Sequence, residues 1–209
     1  MWRLILSGSG APLIDEFEIR RLIENWVIWR DSGDFDRFAT LWHPKGRIIV
    51  MWFQGGARDF IGRSRAGFDR GAKVLHVLGG SSIEVSDTRA ISQTKMAIIM
   101  RGRAHKVEVD VTCHGRFFDF LEKVGEQWLL YLRQAIYELD QVIPTEPGRR
   151  IELDANLLSE FPEGYRYTAY VLTQLGFEVI RDLPGTRGPE VEALVARGRA
   201  WLAGEVVAN

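Results

Sequence analysis

Helical spacing governs the first third of this chain and a two-residue period governs the next, with little interleaving of the two. Val74–Leu78, Ser82–Val85, Ala90–Met100, Val107–Leu121 and Trp128–Leu139 read as strands rich in β-formers. Ser86–Asp87–Thr88, Arg101–His105 and Gly125–Glu126 join them. Helices followed by a run of long, turn-connected strands predict an α+β domain. Its helices would pack in the concave face of a curved, mostly antiparallel sheet, shaped as a cone or barrel.

The helical part is led by Asp15–Arg30, where Ile19, Leu22, Ile23, Trp26, Val27 and Arg30 recur at helical spacing. Asp31–Ser32–Gly33–Asp34 stops it, since Gly and Asp tolerate a left-handed helix end. A short helix over Phe35–Trp42, a turn at Pro44–Lys45–Gly46 and a strand over Arg47–Trp52 follow. A turn at Gly55–Gly56 and a third helix, Asp59–Phe68, complete this part. Pro144, Pro147 and Gly148 mark a boundary between a domain at 1–147 and a helical extension at 148–209. The extension holds an aromatic helix (Tyr165, Tyr167, Tyr170, Leu172, Leu175), a hinge at Leu183–Pro184–Gly185 and a last helix bearing Val191, Leu194, Val195 and Leu202. Two amphipathic helices bury little core alone, so this arm must dock on the domain or on a neighbouring subunit.

With 46% apolar residues the chain is composed to fold, and its net charge of −1 advertises neither nucleic acid nor anionic lipid as a partner. The basic run Arg101–Lys106 reads as a solvated strand connection. A single cysteine, Cys113, excludes an intrachain disulfide framework, and four histidines show no metal-ligand spacing. The apolar start, Met1–Leu6, is too short for a signal-peptide core, and no run approaches the roughly 20 apolar residues of a membrane helix. A cytoplasmic protein without a metal is expected.

Four segments carry a resemblance. Asp31–Ser32–Gly33–Asp34–Phe35–Asp36 is similar to the start of SnoaL-like domains. His76–Val77–Leu78–Gly79–Gly80–Ser81 resembles the histidine segment of scytalone dehydratase, and Gly115–Asp119 with Trp128–Arg133 resembles the last two strands of the same superfamily. They lie in the family's order over roughly residues 14–140. The resemblance implies an acid/base site inside the cone, with Asp31 orienting His76, His76 moving the proton, and Arg133 beside the leaving group. It also implies no cofactor and a homo-oligomer, dimer or trimer.

Elementary chemistry agrees with these roles. Imidazole titrates near neutrality, a neighbouring carboxylate orients it, and a guanidinium stays charged when buried. Competing readings stand beside them: Asp31 as a helix-end residue, His76 as a core histidine, Arg133 in a buried structural ion pair. Trp26, Trp29, Trp52 and Tyr137 are candidates for an aromatic-lined substrate pocket. Met100 stands near the position of scytalone dehydratase's second histidine, and His114 faces either the pocket or a surface. The expected function is a cofactor-independent lyase on a bulky hydrophobic, aromatic or polycyclic molecule, by dehydration or formaldehyde loss. Isomerisation, epoxide opening and a non-catalytic binding or assembly module, as in nuclear transport factor 2, remain open on the same fold.

Overall fold

The computed structural model describes residues 11–206; Met1–Leu6 lies outside them. The first helix, α1, spans Ala11–Asp31, longer at both ends than its apolar spacing marks. Ile19, Leu22, Ile23, Trp26 and Val27 form its buried stripe. Near its start Asp15 accepts hydrogen bonds from Lys123 Nζ and Trp128 Nε1, both 2.8 Å, which pin α1 to the far hairpin of the sheet. Helix α2 covers Phe35–Ala39, with Asp34 capping the Arg37 N–H. It stops short of Trp42, because β1 (Trp42–Val50) begins there and takes in Pro44–Lys45–Gly46 as an irregularity within the strand rather than a separate turn. A tight turn at Met51–Trp52 leads to β2 (Phe53–Gly56), and α3 (Ala57–Asp69) follows.

The remaining strands are β3 (Val74–Ser86), β4 (Arg89–Ala104), β5 (Val107–Val124) and β6 (Gln127–Pro144). The sheet order is β2-β1-β6-β5-β4-β3. Only the β1–β6 pairing is parallel, so the sheet is mixed. It curves without closing into a barrel, leaving β2 and β3 as edges. The two strands expected at 74–85 are one, with a bulge between Leu78 and Ser81 that absorbs Gly79–Gly80. Likewise Arg101–Ala104 continues β4, and the turn falls on His105–Lys106, both at positive φ. Bulges at His114/Gly115 and Phe120/Leu121 bend β5 against β6. At Gly115 a Cβ would sit 2.0 Å from the Ile136 carbonyl oxygen, so no other residue fits this approach.

Strand alternation sorts neighbouring residues onto two faces. Phe117 turns into the concave core with Trp26, Phe38 and Phe60, while Phe118 and Phe120 turn outward. The arm uses both faces. It forms α4 (Ala155–Ser159), a single 3-10 turn at Glu163–Tyr165, α5 (Arg166–Gln174) and α6 (Pro189–Leu202). Helix α5 packs against β4, β5 and β6. Asp140 anchors it by accepting from Thr168 N (2.7 Å) and Thr168 Oγ1 (2.9 Å). Helix α6 lies on the outer face, where Val191, Leu194 and Trp201 meet Ile91, Phe118, Phe120 and Ile136. Both helices thus dock on their own domain. Among the described residues no helix is long and apolar enough to cross a membrane.

Candidate active site

The last turn of α1 and the start of β3 meet at the rim of the concave core. Asp31, the final residue of α1, accepts twice from His76: the backbone N–H reaches Oδ2 at 2.6 Å, and ring Nδ1 lies 2.9 Å from Oδ1. Arg30 Nη1 donates to the same Oδ1 at 3.1 Å. An ionised carboxylate only accepts, so Nδ1 carries the proton and Nε2 keeps the lone pair. Trp26 stands edge-on to the imidazole, with centroids 5.4 Å apart, and Phe117 lies on another side at 6.1 Å.

Charge and burial set the protonation states. Burial alone would raise the Asp31 carboxyl, but the hydrogen bonds and charges of His76 and Arg30 hold it below the ordinary carboxylate range. For His76 the balance falls the other way. Burial outweighs the Asp31 hydrogen bond, and the charges of Arg30 and Arg133 push further, so its pKa is depressed. The pair is therefore a carboxylate beside a neutral imidazole at neutral pH.

Beside this pair opens a cavity of about 480 Å³, lined mainly by apolar and aromatic side chains. Its wall includes Trp26, Trp52, Met100 and Tyr137 from the expected set, together with Asp31 and His76. Tyr137 is buried; its hydroxyl accepts from the Met51 N–H at 3.1 Å, and burial pushes its pKa up, so it keeps its proton. Cys113 also lines the cavity, its thiol likewise held protonated by burial. Among the described residues no group of three or more His, Cys, Asp or Glu is placed to hold a metal ion.

Three expected residues lie elsewhere. Arg133 is fully buried behind the wall and pairs with Asp119 through two 2.7 Å hydrogen bonds. Its guanidinium is held between Trp26 (4.3 Å) and Phe117 (4.1 Å), so it supports the aromatic floor and does not stand beside a leaving group. Trp29 is half-buried under the Arg37 guanidinium, away from the cavity. His114 is exposed, because Val111 and Cys113 take the inward positions of β5. Conversely, spacing gave no hint of Arg30 as the third member of the dyad's network, nor of Phe60 and Phe117 as cavity wall. The arm adds Thr168, Leu172, Leu175 and Phe177 to that wall.

The family model for SnoaL-like domains matches residues 11–134 of the chain, including Asp31, His76 and Arg133. The chain is 34% identical over 212 residues to a PEP2-like protein of Fusarium vanettenii, and 32% identical to pea pathogenicity protein 2 of the same fungus. Both alignments cover 96% of this chain and 91% of the relative, so they extend through the arm. Among solved structures, a candidate scytalone dehydratase of Novosphingobium aromaticivorans is similar in fold, with a TM-score of 0.54 and 22% identity. The match covers 68% of this chain and 97% of that one. A type 2 hexachlorocyclohexane dehydrochlorinase matches with a TM-score of 0.55 and 11% identity, over 69% of this chain and 97% of its own. With the curved sheet, the three inner helices and the matched segment in agreement, the chain belongs to the SnoaL-like domain family.

Proposed function

We propose that this protein is a cofactor-independent acid/base lyase acting on a bulky, largely apolar, aromatic molecule. The observation that carries the reading is His76, hydrogen-bonded to Asp31, on the wall of an aromatic cavity. In the proposed reaction Nε2 takes a proton from one carbon, and the C–H electron pair becomes the new C=C bond. The leaving group departs from the neighbouring carbon with its bonding pair, and the imidazolium then returns its proton to the departing oxygen. Tyr137, protonated and with no acceptor recorded for its hydroxyl among the described residues, is suited to donate to a substrate oxygen. Isomerisation is the second reading. It is favoured by the cavity wall offering His76 as its one imidazole, since moving a proton between two carbons needs a single base.

A panel of aryl β-hydroxy ketones, followed by the absorbance of the conjugated product, tests the proposal. His76→Ala should lower turnover by roughly 10²–10⁴-fold, and Asp31→Asn by a comparable factor with the fold intact. Turnover of an accepted substrate that survives His76→Ala would remove His76 as the base.

A further inference from the structure

The chain as a whole is slightly acidic, at −1, but the cavity is not. The charged residues that line it are Arg30, Arg63, Arg70, Lys73 and Arg101 against Asp31 alone. Arg30 is matched by Asp31, and Arg101 is matched by Asp110 through two 2.8 Å hydrogen bonds. Arg63, Arg70 and Lys73 have no ion-pair partner among the described residues. The acidic residues nearest them in sequence, Asp59 and Asp69, do not line the cavity.

These three cations share one side of the opening. Arg63 sits on α3, and Arg70 and Lys73 sit on the connection from α3 to β3. All three are exposed, whereas Trp26, Phe117 and Tyr137 are buried, so the cations form the rim and the aromatic side chains the floor. A rim of one sign over a low-dielectric floor concentrates the field at the entrance. Lys73 lies three residues before His76, a Cα separation of roughly 10 Å along extended chain.

We propose that the substrate is an aromatic acid, whose ring system fills the floor while its carboxylate is held at the rim by Arg70 and Lys73, with Arg63 beside them. The inference rests on the cavity being the substrate site of the reaction proposed above, but not on which bond that reaction breaks. A neutral substrate would leave these three cations without an ion-pair partner among the described residues, Lys73 having only the more distant charge of Asp110, which Arg101 already holds.

Isothermal titration with 2-naphthoate and its neutral analogue 2-naphthamide tests the assignment. At about 50 mM salt the wild-type protein should bind the carboxylate at least about tenfold more tightly, and at about 500 mM salt the ratio should fall to within about threefold. The exposed double variant R70Q/K73Q should lose the preference at low salt while its affinity for the amide stays unchanged. Equal affinities, a preference for the amide, binding of neither compound, or a preference that R70Q/K73Q leaves intact overturns the proposal. His76→Gln separates this from the reaction chemistry. It should abolish turnover and keep the carboxylate preference, so the lyase reading and the anion reading fail on different measurements.

Discussion

His76 is held between opposing influences, and their balance determines when it can act. Its ordinary pKa of 6.5 is lowered by burial first, then by the Arg30 and Arg133 charges, against the pull of Asp31. A general base must be unprotonated, so the acid limb of kcat/KM should lie below pH 6.5. Replacing Arg30 with Gln removes a repelling cation and leaves the Asp31 charge less compensated. Both changes favour the imidazolium, so in R30Q the limb should move to higher pH. A pH–rate profile of the two proteins checks this, and a limb that stays or moves down would remove Arg30 from the network. At this scale the dyad was legible through the resemblance, which rests on the segments Asp31–Asp36 and His76–Ser81. Arg30 was not, since it reads as one more residue on the helical stripe. Arg133 was misplaced because the resemblance matches its strand but not the depth of its side chain; here it is buried against Asp119, Trp26 and Phe117 and does not line the cavity.

Among the elements, the arm shows why periodicity alone leaves a question open. Its two helices were legible from their spacing, but where each docks depends on the surface that receives it. Helix α5 meets the concave side and walls the cavity, while α6 covers the outward phenylalanines of β5. The cavity wall and the outer cover are different helices, both docked on their own chain. Gly198 is the close-contact point of α6, since a Cβ there would lie 2.7 Å from the Phe118 ring. Gly198→Val should therefore destabilise the fold by about 1–3 kcal/mol, because the packed face has no room to give. In a chain of this size that lowers the melting temperature by roughly 2–12 °C, and an unchanged melting temperature would show that α6 tolerates displacement. Strand boundaries were less legible than strand content. Glycines at 79–80 signal either a break or a bulge, and only the partner strand β4 decides between them.

In the whole molecule, α6 covers part of the outer sheet face and leaves the rest open. Val77, Ala97, His114 and Leu139 form one row across β3, β4, β5 and β6, with Leu75 one row and Ile143 two rows further along the same face. Val77, Leu139, Leu75 and Ile143 are each more than half exposed. Exposed apolar residues on β3 and β6, with His114 between them on β5, favour self-association, and a symmetric homo-oligomer through this face is expected. Light scattering should report a multiple of the 23.8 kDa chain, and Leu139→Asp should shift it toward the monomer mass. Monomeric wild type across micromolar concentrations would retire this reading. The outer cover also sets an order of events during synthesis. About 45 residues separate the end of β6 from the start of α6, which at ordinary translation rates is roughly 2–9 s. Throughout that interval the sheet is formed in sequence but Phe118, Phe120 and Ile136 have no cover. The nascent chain thus presents its stickiest surface to chaperones and to its neighbours on the same message before the helix that shields it has been made.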